Sequence, residues 1–286
     1  MKLLRYGQPG EEKPGLLDGQ GRIRDVSKHV HDYCPSTLGD KYVLNQLSTL
    51  VLETLPIVEA GTRLGPPISA PGKLVCVGFN SALHTEQLGV SPFPEGEMLI
   101  FLKATSAICG PHDPIYYTRL TKKLDWEAEL AIVIGKEGKY INKSDARDHI
   151  LGYTCMNDLS ERYLQFEVGD SQFTKGKCFD HGAPLGPYIV TKEEVENPGA
   201  LEVNLWVNQN LRQAFNTKDY IHQDVDIVSY ISQFFTLYPG DIISMGSAPG
   251  NAEFWGESEF LKPGDEVSLS ILGIGTQKQK VILEPS

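Results

Sequence analysis

Apolar and polar positions alternate with period two in several short stretches of the chain. Leu201-Glu-Val-Asn-Leu-Trp-Val207 and Val267-Ser-Leu-Ser-Ile271 do so strictly, as strands do when one face meets a core. Asn208-Gln-Asn210 follows the first and reads as a hairpin turn. A third stretch, Leu124-Asp-Trp-Glu-Ala-Glu-Leu-Ala-Ile-Val-Ile134, alternates from Trp126 onward. Trp126, Leu130, Ile132 and Ile134 fall on one face, and Glu127, Glu129, Ala131 and Val133 on the other. Gly152-Tyr-Thr-Cys-Met-Asn-Asp158 is a further short apolar strand, and Asn157-Asp-Leu-Ser160 after it reads as a passage into a helix. Helical spacing is scarcer. Residues 224–235 bring Val225, Val228, Ile231 and Phe235 to one side. Residues 144–150 read as a short helix with Ser144 as N-cap, and residues 45–54 as another.

The first 70 residues differ from the rest. Three short strands, over 2–7, 14–18 and 21–25, are separated by turns at Gly7, Gly10 and Asp18-Gly19. Leu64-Gly-Pro-Pro and Ser69-Ala-Pro-Gly72 then punctuate the chain. The expected division is a small N-terminal domain over 1–70 and a larger domain over 71–286. Many strands and few helices predict an α+β fold, mostly β, with a mixed sheet wrapped into a barrel-like roll.

Composition narrows the function. The 286 residues carry a formal net charge of -11, with 41% hydrophobic and 22% charged residues. Nothing forms the basic stripe of a nucleic-acid binder. No apolar run approaches the ~20 residues that span a bilayer, and the N-terminus lacks the apolar core of a signal peptide. A cytoplasmic protein without membrane or nucleic-acid partners is expected. The five cysteines have no C-x-x-C spacing, so neither a zinc site nor a disulfide framework is signalled.

Glu127 and Glu129 are the informative pair. Two like charges on one face of an apolar strand repel each other and resist burial. Either that face is solvated or a cation lies between them, and oxygen ligands suit Mg2+, Mn2+ or Ca2+ rather than Zn2+. Asp158, at the end of the next apolar strand, is either a helix cap or a third carboxylate brought beside the first two.

With these segments the chain resembles the fumarylacetoacetate hydrolase family. The resemblance is carried by 124–135 and 152–162, by Lys175-Gly-Lys-Cys-Phe-Asp180, Ala183-Pro-Leu-Gly-Pro187, Phe234-Phe-Thr-Leu-Tyr-Pro-Gly-Asp241 and Phe260-Leu-Lys-Pro-Gly-Asp265, in order from about Pro71 to about Ile282. It implies a metal-dependent enzyme acting on 2-keto acids, the family's β-roll preceded by a small N-terminal domain, and at least a homodimer. It implies Glu127, Glu129 and Asp158 as ligands of Mg2+ or Mn2+. Lys177, rather than Lys175, matches the lysine that reaches the substrate. Arg162, expected one helical turn beyond Asp158, would orient the carboxylates or contact substrate. Gln165 matches a substrate contact of several relatives. Met245-Gly-Ser-Ala-Pro-Gly250 departs from the family's Thr-Gly-Thr-Pro, yet Ser247 keeps a hydroxyl for a substrate carboxylate. In Gly78-Phe-Asn-Ser-Ala-Leu-His-Thr-Glu-Gln87, His84 matches the family's catalytic histidine, but Gln87 stands where its acidic partner is usual. Residues 89–96 would let this segment close over the site.

The N-terminal run and the segments over 12–18 and 22–27 are similar to the branch acting on 2,4-diketo-3-deoxy sugar acids, such as 2,4-didehydro-3-deoxy-L-rhamnonate or -fuconate. The implied reaction is hydrolysis of the C3–C4 bond to pyruvate and a second acid. Oxaloacetate decarboxylation, or isomerisation and hydration of dienoic 2-keto acids, use the same enolate. A metal-binding relative without catalysis is the alternative of another class.

Overall fold

A computed structural model describes residues 1–87, 93–94, 96–168 and 172–285, without the side chains of His84, Gln87 and Glu257. Its main element is a mixed eleven-stranded sheet. Nine strands lie side by side in the order Ile23–Asp25, Lys13–Leu17, Lys2–Tyr6, Ala183–Thr191, Ile150–Asn157, Ala128–Ile134, Ile242–Ser244, Leu74–Gly78 and Leu99–Lys103. A five-stranded sheet packs beside it, built on Glu202–Val207, Asn210–Asn216, Glu266–Ile271 and Gly275–Leu283, with Ile115–Tyr117 at its edge. Among the described residues no helix is long and apolar enough to cross a membrane. The expected mostly-β mixed sheet is what the chain forms.

The period-two reading of the central strand explains how two cores arise. Leu130, Ile132 and Ile134 enter one hydrophobic cluster with Val203, Leu205, Leu269 and Ile271 of the smaller sheet. Ala131 and Val133, on the opposite face, enter a second with Leu3, Leu16, Tyr33, Leu38 and Leu47. All five central-strand residues are fully buried, and each large aliphatic side chain so buried contributes roughly 1.5–3 kcal/mol. The N-terminal strands join this sheet through Lys2–Tyr6, which pairs antiparallel with Ala183–Thr191.

Local signals settle several boundaries. The hairpin between Glu202–Val207 and Asn210–Asn216 turns on Asn208 and Gln209, both at positive φ (50° and 70°), as a two-residue primed turn requires. The helix expected over 45–54 lies earlier, at Lys41–Ser48, followed by a 3-10 turn at Leu52–Thr54. Asp40 starts it by accepting from Tyr42 and Val43 N–H. Ser144 is not an N-cap: the 3-10 turn begins after Asn142, and the α-turn Ala146–His149 continues from it. In residues 224–235 the buried face is Ile227, Val228 and Ile231, with Val225 and Phe235 only partly covered. Asp18 is an interior anchor of the N-terminal strands. Burial raises its pKa, but hydrogen bonds from Arg22 and Gln20 N–H and from the Arg24 and Arg22 guanidiniums outweigh this and hold it well below the usual range.

Candidate active site

The acidic cluster forms where two neighbouring strands end together. Ala128 pairs with Asn157 across the sheet, so Glu127 and Asp158 meet at the same edge, and Asp158 N–H donates to the Glu127 carbonyl at 2.9 Å. Glu129, one repeat into the strand, points to the same side. Carboxylate oxygens of Glu127, Glu129 and Asp158 all lie within 4.8 Å of one another, and Glu129 is only 2% exposed. The solvated-face alternative for the glutamate pair is therefore ruled out by burial.

Cations hold two of the three acids. Lys177 Nζ donates to Glu127 Oε2 at 2.6 Å and to Asp158 Oδ2 at 2.8 Å. Arg162 donates through one terminal nitrogen to Glu127 Oε1 (2.6 Å), through the other to Gln165 Oε1 (3.0 Å) and through Nε to Asp125 Oδ2 (2.8 Å). Burial alone would raise the Glu127 pKa, but Lys177 and Arg162 reverse this and keep it ionised far below the usual range. Among the described residues Glu129 has no such cationic hydrogen-bond partner. Ser244 Oγ and Gly246 N–H donate to its Oε2, yet burial, then the Asp158 and Glu127 charges, push its pKa well up. The cluster is thus short of positive charge at Glu129. A divalent cation on this all-oxygen donor set would supply what is missing, and the three acids fit a hard ion.

Two groups in this arrangement are not signalled by the sequence. Lys103, at the end of the edge strand, donates to Asp158 Oδ1 at 2.7 Å and to the Leu159 carbonyl at 3.0 Å, with its side chain fully buried. Asp125 binds Arg162 and also receives Ala252 N–H at 2.6 Å, tying the loop after Ile242–Ser244 to the cluster. Lys103 sits 55 residues before its partner at the end of an apolar strand, a place where a lysine is ordinarily a solvated terminus.

Arg162 reaches Glu127 by a different route from the helix expected between it and Asp158. Ser160–Glu161 is a short strand paired with Leu124–Asp125, and a π-turn follows at Tyr163–Glu167. Lys177 enters from the turn Thr174–Lys177, while Lys175 is exposed. Gly176 allows the approach: a Cβ there would lie 2.6 Å from Gln165 Cβ and 2.8 Å from the Glu161 carbonyl. Ser247 lines the cleft, and its hydroxyl already accepts from Gln213 (2.9 Å) and faces the Ala128 carbonyl (3.2 Å). His84 belongs to the helix Ala82–Gln87, but its side chain, that of Gln87 and most of 89–96 lie outside the described part of the structure. Asn80, just before that helix, donates to the His222 and Met245 carbonyls (3.0 and 2.8 Å) and so fixes the helix start to the site loop.

The cluster lines a narrow cleft with a cavity volume of about 40 Å³. Phe101, Phe166 and Phe173 form one aromatic wall, with Phe173 edge-on to both neighbours. Ser247, Asn251 and Glu253 line the same cleft. A cleft in which several buried charged groups converge is the kind of site a small-molecule enzyme uses.

Comparison with known proteins agrees. Residues 73–282 match the family described as fumarylacetoacetate (FAA) hydrolase C-terminal. A Burkholderia multivorans protein, named provisionally as a hydrolase, is 42% identical over 280 residues, covering 98% of both chains. The fumarylacetoacetate hydrolase of the psychrophile Exiguobacterium antarcticum superposes with a TM-score of 0.85 at 33% identity over 99% of this chain and 100% of that one. Maleylpyruvate hydrolase of Sphingobium sp. SYK-6, solved with manganese(II) and pyruvate, gives 0.83 at 27% identity, and 5-carboxymethyl-2-hydroxymuconate delta-isomerase of Mycobacterium smegmatis 0.76 at 31%, each over the whole of both chains. The chain belongs to the fumarylacetoacetate hydrolase family, as a hydrolase or a related enzyme.

Proposed function

We propose that this protein is a metal-dependent hydrolase that cleaves the C3–C4 bond of a 2,4-diketo acid to pyruvate and a second acid, and that its substrate is a 2,4-diketo-3-deoxy sugar acid. The observation that carries the reading is the buried carboxylate triad with the Lys177 ammonium at its edge. It is supported by the relative solved with manganese(II) and pyruvate. Held by Glu127, Glu129 and Asp158, Mg2+ or Mn2+ would supply Lewis-acid stabilisation of an enolate at C3.

The chain's own groups account for the remaining work. Lys177 offers a buried ammonium for the developing negative charge. Arg162 holds Asp125, Gln165 and Glu127 in place, one through each of its three side-chain nitrogens. Water adds its oxygen to C4 and a proton goes to C3, so the acyl fragment leaves as a carboxylic acid and the other as pyruvate. His84 is assigned the proton transfer on the resemblance to the family. His84→Ala should then lower turnover by roughly two to four orders of magnitude, the usual worth of general acid–base catalysis, with Mn2+ affinity nearly unchanged; a near-silent variant removes His84 from the mechanism. A homodimer in the cytoplasm is part of the same reading.

A pyruvate-coupled assay on a panel of 2,4-diketo acids and oxaloacetate tests the function, with Mg2+, with Mn2+ and after chelation. Pyruvate release from a diketo acid that disappears on chelation is expected. The isomerase among the structural relatives favours one further reading, isomerisation of a dienoic 2-keto acid. Turnover of such a substrate without pyruvate release would replace the hydrolase assignment. No turnover of any panel member would favour a relative without catalysis.

A further inference from the structure

Asn251 is the N-cap residue of the short helix Ala252–Trp255, and its side chain does not cap it. An asparagine at this position ordinarily turns its Oδ1 to the first free N–H groups. Here the Asp125 carboxylate takes that role: Oδ1 accepts from Ala252 N–H at 2.6 Å and Oδ2 from Glu253 N–H at 3.4 Å. The Asn251 carboxamide is left without an internal task. The residue is 1% exposed and lines the acidic cleft. Neither its Nδ2 nor its Oδ1 has a hydrogen-bond partner among the described residues. A buried amide unpaired at both ends is costly, and such a group calls for a partner such as a water, an ion or a ligand.

We propose that the Asn251 carboxamide reads a hydroxyl on the distal end of the substrate, and so selects hydroxylated over alkyl tails. The inference rests on the reading of this cleft as a 2-keto-acid site and adds the residue that recognises the far end. An amide offers a donor and an acceptor together. A hydroxyl answers both, because it accepts from Nδ2 and donates to Oδ1. An alkyl tail leaves both ends unpaired. A carboxylate tail answers the donor alone, sets an anion against Oδ1, and meets Glu253 in the same lining. The aromatic wall of Phe101, Phe166 and Phe173 suits the carbon face of a polyhydroxylated chain. The amide is covered, so a neighbouring side chain must turn aside for a ligand to reach it.

The test compares two tails by two readouts. Cleavage is measured with 2,4-dioxopentanoate and with a 5,6-dihydroxy-2,4-dioxo acid. Binding is measured by calorimetry in the presence of Mn2+, with 2-oxohexanoate and with a 3-deoxy-2-keto sugar acid, neither of which has a C4 carbonyl to attack. Wild type should favour the hydroxylated member of each pair by at least about 10-fold. Asn251→Ala and Asn251→Asp should each lower that preference roughly 10- to 100-fold, since a site built to pair a hydroxyl discriminates strongly against its absence. Asn251→Asp keeps the shape of the side chain and loses its N–H donors, so it decides the matter should the alanine variant fold poorly. Equal losses for both tails in the variants, or an unchanged preference, overturn the proposal. So does a wild type that binds both mimics alike or neither. Should wild type cleave neither diketo acid while its binding preference is present and falls in the variants, the hydrolase reading fails and the role of Asn251 stands.

Discussion

Asp158→Asn should abolish pyruvate release, by at least about three orders of magnitude, while the protein remains folded. The loss follows from removing one of three carboxylates that converge within 4.8 Å. A catalytic divalent ion is worth several kcal/mol of charge stabilisation, and each ~1.4 kcal/mol is a factor of ten in rate. Retention of the fold follows from the charge count. Four buried carboxylates, Asp125, Glu127, Glu129 and Asp158, face three buried cations, Lys103, Arg162 and Lys177. Asn at 158 brings acids and cations level and keeps one oxygen acceptor for Lys103 or Lys177. Circular dichroism should be unchanged, and calorimetry should record greatly weakened Mn2+ binding. Undiminished turnover by the variant after chelation would refute the metal assignment.

Lys177→Met should separate two contributions of one ammonium. In the metal-free protein it leaves Glu127 and Asp158 without the partner they share at 2.6 and 2.8 Å. Breaking a buried pair on one side costs about 3–5 kcal/mol, so the apo variant should melt well below wild type. A divalent cation relieves the same repulsion, and the Tm gain on adding saturating Mn2+ should be larger in the variant than in wild type. Turnover should stay low even with metal, by roughly 100- to 1,000-fold, because a pre-oriented charge at the reacting oxygen is lost. The methionine preserves most of the contact with Phe101, whose ring lies 5.2 Å from Nζ. A variant with unchanged apo stability and full turnover in Mn2+ would remove Lys177 from the site.

Part of this site is legible along the chain because it rests on short-range geometry. Period-two alternation places Glu127 and Glu129 on one face together with Ala131 and Val133, and that face is the one opposite Leu130, Ile132 and Ile134. The hairpin at Asn208-Gln209 is equally local. The helix near 45–54 is misjudged because its start depends on where Asp40 finds free N–H groups, while the apolar spacing extends past its end. Arg162 is reached for the wrong reason. Its spacing from Asp158 suggests one turn of helix, yet a two-residue strand carries it to Glu127.

The sequence by itself determined the mostly-β class, the faces of the central strand and the family, since these follow from the period of side-chain direction and from contiguous motifs. The tertiary structure decided which groups share the buried charge. Lys103 meets Asp158 only because the sheet order brings the Leu99–Lys103 edge to the cluster. Among the described residues the Asn251 side chain has no partner, while Asp125, 126 residues earlier, accepts the Ala252 and Glu253 N–H groups at the start of its helix. Pairing between distant segments depends on how two cores close around one sheet, and no local pattern records which charge will end beside which.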